Sequence, residues 1–301
     1  MNEFVAIDLP ALIAALLALL ACGTLGNWLV LRKEAMTGDA IAHAVLPGLV
    51  AGYLVAGTHS APAMLGGAAV AGVAAVLLAG WVRRRTDLEP GAALGTVFTA
   101  FFALGVTLLE TGGARQVDLD PGCVLFGSLE TMFVVRPENA TGVAGWLRGL
   151  PREVWTLAAA ALAALAFHGL FAKELALLAF DREHARTTGA APRWLEHAML
   201  CVTSMAIVAS FEAVGSILVI ALIACPSLIA APHARSVGTR LALGLAAGSL
   251  LATAGYLLAA HAPSVFGTAH ALNAAGMIAM LLALAVPCSF GVRALVSRRS
   301  A

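Results

Sequence analysis

An aspartate and a histidine, Asp39 and His43, stand at the head of an otherwise apolar segment. Their i, i+4 spacing places both side chains on one face of a helix, where a carboxylate oxygen and an imidazole nitrogen can bind one divalent cation. Pro47 cannot donate a hydrogen bond to the His43 carbonyl, which predicts a kink beside the imidazole. Such groups are tolerated at membrane depth only where they face protein or water. The pattern predicts a metal-binding helical turn.

Two alternatives fit the same residues. Thr37 or Asp39 can be the N-cap of the helix, and His43 can be a hydrogen-bonded interior histidine.

Glu212, near a predicted span boundary, either helps to admit a cation or sits in interfacial water. Spacing alone does not decide between these interpretations.

The composition is that of a membrane protein. Of 301 residues, 60% are hydrophobic and 12% are charged, whereas about 25% are charged in an average soluble domain. We therefore predict an all-α, polytopic membrane bundle that forms a single domain over residues 1–301. The net charge of +1 gives no indication of nucleic-acid binding. The five cysteines are scattered, which is typical of small buried apolar residues.

Apolar runs of about 20 residues mark candidate spans. We identify nine: Leu9–Leu31, Ile41–Gly57, Pro62–Val82, Gly91–Leu109, Val154–Ala172, Trp194–Phe211, Gly215–Ala231, Leu241–Ala260 and Ala269–Cys288. Eight spans remain possible, because the sixth and seventh are short and nearly continuous. Gly48-x-x-x-Gly52 and Gly244-x-x-x-Gly248 predict close helix contacts, either within the subunit or between subunits.

Lysine and arginine follow every odd-numbered span, which places those ends in the cytoplasm. The N-terminus is then external, the C-terminus is cytoplasmic, and residues 110–153 form an external segment. Within that segment Cys123–Val135 is too short to cross upright, so we expect it to be re-entrant or to lie at the outer surface.

A short charged stretch lies in the longest predicted cytoplasmic segment, residues 173–193. Its candidate contact residues are Asp181, Arg182, Glu183, His184, Arg186 and the C-capping Gly189. The stretch is either a docking helix for a soluble partner or a solvated connector. A second proline, Pro226, predicts another kinked helix.

Several catalytic signatures are absent from the sequence. There is no GxxxxGK[ST] phosphate loop, no HExxH or HxxEH pair and no GxSxG elbow. We therefore predict that the chain is not an enzyme and has no ATP site of its own.

The stretch Gly-Asp-Ala-Ile-Ala-His-Ala-Val-Leu-Pro-Gly at residues 38–48 resembles the permeases of ATP-binding-cassette manganese/zinc/iron importers. Similar segments occur at residues 95–105, 118–127, 180–186 and 214–222, so that the resemblance runs nearly end to end. The segment at 118–127 is most similar to the manganese branch. The chain departs from the family pattern at Glu89-Pro-Gly-Ala, where the family has Glu-Asp-Ala.

The resemblance implies a permease in the bacterial cytoplasmic membrane, working as a homodimer or heterodimer with a cytoplasmic ATPase and an extracytoplasmic metal-binding protein. It implies that Asp39 and His43 line the ion path and that residues 181–189 couple to the ATPase. The cargo is then Mn²⁺, Zn²⁺ or Fe²⁺, with no cofactor bound by this chain. An ion-gradient-driven secondary transporter is the alternative.

Overall fold

The computed structural model describes residues 4–57, 61–86, 90–111, 127–134, 142–187, 193–266 and 272–299. Within these ranges the chain is helical and contains no β-strand, which confirms the all-α prediction. The helices are α1 (Leu9–Leu31), α2 (Met36–Ala56), α3 (Ala61–Arg85), α4 (Pro90–Thr111), α5 (Gly142–Arg148), α6 (Arg152–Phe180), α7 (Arg182–Thr187), α8 (Arg193–Ala230), α9 (Val237–Phe266) and α10 (Ala274–Arg299).

Eight helices in the described ranges are long and apolar enough to cross a membrane. The predicted number of apolar runs is nine; these helices number eight because the two short runs around Glu212 both lie in the 38-residue helix α8. The backbone of α8 nevertheless breaks at Gly215, whose φ of 75° and ψ of 167° are not helical.

The contacts of α1 show that the two arms of α8 run in opposite directions. Along the first arm, Arg32 contacts Met199 and Cys22 contacts Ser210, so this arm is antiparallel to α1. Along the second arm, Gly23 lies against Leu222 and Asn27 bonds Ser227, so this arm is parallel to α1. The two segments predicted as separate spans are thus the arms of a hairpin within α8.

Residues 127–134 pack against the bend of that hairpin. The Ser128 amide donates to the Ala213 carbonyl at 3.1 Å, and the Ser128 hydroxyl donates to the Glu212 carbonyl at 3.2 Å. Both carbonyls belong to the last turn of the first arm, where helical partners are missing. The segment then forms a 3₁₀ turn, Leu129–Thr131, and returns to the start of the chain, where the Val134 amide donates to the Ala6 carbonyl at 3.0 Å.

Small residues set the distances between helices, as expected where lipid gives no hydrophobic drive for association. Gly48 and Gly52 of α2 lie against the backbone of Gly67 and Ala63 in α3. Gly244 and Gly248 of α9 lie against Pro226 of α8. Both predicted glycine pairs therefore pack inside the subunit.

The helices form two packing units. Helices α2, α3 and α4 pack extensively on one another, while α1, α6, α8, α9 and α10 form the larger core around Trp28. The smaller unit joins the larger one through contacts of α2 and α3 with α8 and through the turn between α1 and α2. The smaller unit carries the candidate site.

Candidate metal site at the start of α2

Asp39 and His43 meet in the first two turns of α2. Nε2 of His43 lies 3.3 Å from Oδ1 of Asp39, as the i, i+4 spacing predicts. The N-cap of α2 is Ala35, so neither Thr37 nor Asp39 caps this helix, and that alternative is wrong. At about 1.5 Å rise per residue, the pair lies roughly 4–11 Å from the beginning of α2.

The pair is only partly covered by its own subunit. The Asp39 side chain is 31% exposed and the His43 side chain is 38% exposed. Neighbouring residues on the other faces of α2, including Ala40, Ile41 and Ala44, are buried. The acid and the imidazole therefore share a partly exposed face of α2, beside neighbours that are buried.

Two phenylalanines of α4 form the wall beside the imidazole. The His43 ring centroid is 5.5 Å from that of Phe98 at an interplanar angle of 31° and 6.2 Å from that of Phe102 at 88°. Neither ring is among the site residues predicted from the sequence. The available signal was the segment at residues 95–105, which carries both of them one helical turn apart.

The pair offers one carboxylate and one imidazole, which is fewer than the four or more ligands that transition metals usually take. No group of three or more His, Cys, Asp or Glu side chains in the described ranges could hold a metal ion. Glu212 does not join the pair; it lies beside the break in α8, where its carbonyl accepts the Ser128 hydroxyl. Within the described ranges the pair therefore stands as two candidate donor groups.

Both predicted kink prolines lie inside helices. Helix α2 continues through Pro47, which is buried, and α8 continues through Pro226. The residue of α8 with non-helical dihedral angles is Gly215. The change of direction in α8 is therefore at a glycine that was not among the predicted kink residues.

An ion-paired turn precedes the site. Nε of Arg32 lies 3.0 Å from Oε2 of Glu34, and Nη1 of Arg83 lies 4.0 Å from Oε1 of the same carboxylate. Lys33 occupies the left-handed region with φ of 60° and closes a Schellman motif, in which the Glu34 amide donates to the Leu29 carbonyl at 2.8 Å. This turn fixes where α2 begins, and it borders a cavity of about 320 Å³ between the two packing units.

The charged stretch after α6 forms the short helix α7. Oδ1 of Asp181 accepts the His184 amide at 2.9 Å, which caps the helix. Ala185 is buried, whereas Asp181, Glu183 and His184 are exposed. Arg182 and Arg186 belong to α7, and Gly189 lies outside the described residues. The residues predicted to couple to a partner thus lie in or beside one small helix that exposes charged groups.

Comparison with known proteins gives consistent matches. A model of the ABC 3 transport family matches residues 5–138 and 146–291. The manganese transport system membrane protein MntD of Bacillus subtilis (strain 168) is 35% identical over 239 residues, which cover 79% of this chain and 79% of MntD. The zinc transport system membrane protein TroD of Treponema pallidum (strain Nichols) is 32% identical over 218 residues, which cover 72% of this chain and 58% of TroD.

A solved structure supports the fold. PsaBC from Streptococcus pneumoniae in complex with Fab superposes with a TM-score of 0.72 at 23% sequence identity, covering 94% of this chain and 90% of that chain. At this identity the similarity establishes the helical architecture and not the cargo.

Proposed function

The chain belongs to the ABC 3 transport family as a membrane permease subunit of the metal-importer type, and we propose that it carries a divalent transition metal across the cytoplasmic membrane by alternating access. ATP hydrolysis in a separate cytoplasmic subunit drives the cycle, and an extracytoplasmic metal-binding protein delivers the ion. In this proposal the metal is cargo and is not counted as a cofactor of the chain.

The open face shared by Asp39 and His43 carries this proposal. Ionisable side chains in membrane helices almost always face protein or a water-filled path, so we infer that the third-exposed carboxylate of Asp39 beside an imidazole does not face lipid. Water or another protein subunit must cover that face. An acid and a ring nitrogen on the wall of a polar path form a ligand pair for a passing divalent cation.

A second permease subunit completes the ligand set. One subunit supplies two donor groups, and a symmetric copy facing it across a two-fold axis doubles the set to two carboxylates and two imidazoles. A heterodimer with a related subunit supplies an equivalent set. The metal then sits between the two subunits, where relative motion of their helices can open either side.

Manganese is the cargo we favour, with zinc and iron as the alternatives. MntD is named for manganese transport and TroD for zinc transport, and both resemble this chain over most of its length. A mixed carboxylate and imidazole set binds all three ions, and zinc more strongly than manganese. Selectivity for manganese therefore requires control by geometry and by the supplying protein.

Coupling runs through α7. Glu183 and His184 of α7 are exposed, as is the capping Asp181 that follows α6. Helix α6 itself has non-helical dihedral angles at Phe171, ten residues before Asp181. We place this end in the cytoplasm because lysine and arginine are concentrated there. The N-terminus and residues 110–153 then face the outside, where the metal-binding protein docks.

Ion uptake by the assembled transporter tests the proposal. Proteoliposomes that contain the permease and its ATPase, with the metal-binding protein added, take up Mn²⁺ or Zn²⁺ when ATP is supplied, and Asp39→Asn or His43→Ala abolishes uptake while ATPase association persists. Val55→Ala is the matched control, because Val55 lies on the same helix and is 90% exposed. Normal uptake in both site variants refutes the ligand assignment. Uptake that continues without ATP and stops with a proton uncoupler supports a secondary transporter instead.

A further inference from the structure

The imidazole of His43 contacts two aromatic rings that lie on another helix. Phe98 approaches it at 5.5 Å in a tilted arrangement, and Phe102 approaches at 6.2 Å with its ring nearly perpendicular. Offset and edge-to-face arrangements at these distances are attractive. The two phenylalanines are an i, i+4 pair, so both project from one face of α4 toward one target.

The axial position of α4 relative to α2 is fixed one helical turn beyond the imidazole. A Cβ atom on Gly105 would lie 2.9 Å from both Cδ and N of Pro47, so the two backbones touch where only glycine fits. On the other side of the rings, Val97 packs with Ala44 and Ala75 in a small buried cluster. These contacts fix the register that places Phe98 and Phe102 beside His43.

We propose that Phe98 and Phe102 are positioning residues that hold the His43 imidazole with Nε2 directed at Asp39. The terminal torsion of a histidine side chain is broad and nearly two-fold, so an unsupported ring also samples orientations that turn Nε2 away from the carboxylate. The rings fill the space those orientations need. The acid and imidazole pair is then ordered before the metal binds, and this lowers the free-energy cost of binding.

The inference rests on the proposed ligand role of Asp39 and His43. It adds the prediction that metal affinity depends on aromatic rings which themselves offer no donor atom. Removing a ring lowers the rate of uptake at low metal concentration. The maximal rate of uptake at saturating metal changes less, because the ligand atoms are still present.

Steady-state uptake kinetics in the assembled transporter test the role, with Mn²⁺ and Zn²⁺ as the transported probes. Phe98→Leu and Phe102→Leu each raise the KM for the metal about 2- to 12-fold, as expected for the loss of one aromatic contact. Phe98→Tyr and Phe102→Tyr keep a ring and restore the KM to within about two-fold of the parent. Phe290→Leu is the matched control, since it removes a half-exposed ring on α10, outside the small packing unit that carries the site.

The outcomes separate this inference from the proposed function. A KM that is unchanged in both leucine variants, or raised equally by Phe290→Leu, overturns the positioning role while the loss of uptake in Asp39→Asn and His43→Ala leaves the ligand role intact. An equal shift in the leucine and tyrosine variants also overturns it, because the ring is then not the determinant. Normal uptake in the Asp39 and His43 variants overturns both.

Discussion

Substituting Gly127 by alanine should release residues 127–134 from the break in α8. Gly127 has a φ of 72°, where a side chain costs about 1–2 kcal/mol. The new Cβ would also lie 2.5 Å from the Val214 carbonyl carbon and 2.8 Å from the Ala213 oxygen, which are backbone atoms that cannot move aside. The two hydrogen bonds from Ser128 cannot persist beside that overlap, and each contributes about 0.5–1.5 kcal/mol.

Together these effects lower the free energy of local opening by about 2–5 kcal/mol, which corresponds to a rise of about 30- to 5,000-fold in the opening equilibrium. Hydrogen exchange of residues 128–134 in the detergent-solubilised transporter measures it, and the amides of Ser128 and Val134 are the reporters. The helices themselves stay folded, because the overlap affects the inserted segment and the bend of α8 rather than the core around Trp28.

Two further glycines separate the conformational cost from the steric cost. Gly57 has a φ of 63°, and no atom lies within 4 Å of the position that a Cβ would take there, so Gly57→Ala suffers only the strain of the left-handed backbone. Gly291 is helical and equally open, so Gly291→Ala is neutral or stabilising by up to about 1 kcal/mol. If hydrogen exchange of residues 128–134 is no faster in Gly127→Ala than in Gly57→Ala, packing of Gly127 against the break in α8 is not what holds that segment.

Two predictions concern the end of the molecule that we propose to be cytoplasmic. Charge reversal at Arg182 or Arg186 should uncouple ATP hydrolysis from metal uptake, measured as the ratio of the two rates, because α7 is the proposed contact with the ATPase; an unchanged ratio counts against that role. Lys33→Gly should raise the stability of the detergent-solubilised protein by about 0.5–1 kcal/mol, since glycine adopts the positive φ of this C-cap without strain. A lower melting temperature in that variant contradicts the assignment of strain to Lys33.

Much of the architecture follows from local patterns in the sequence. Runs of apolar residues have the length needed to cross a membrane, and they appear as helices at nearly the expected bounds, such as Leu9–Leu31 for α1. The contact between Asp39 and His43 is local as well, because any helix brings residues four apart together. Glycine pairs at four-residue spacing likewise became close helix contacts, since only the absence of a side chain is required.

The tertiary structure decided the features that depend on distant parts of the chain. The reversal at Gly215 falls between the two apolar runs predicted on either side of Glu212, but the Ser128 that caps the break lies far away in sequence. The aromatic wall of His43 arises because Gly105 sets the register of α4 on Pro47. Which face of α2 stays open depends on how α3, α4 and α8 cover the others. Spacing can indicate the two candidate ligands, but only packing between helices determines what surrounds them.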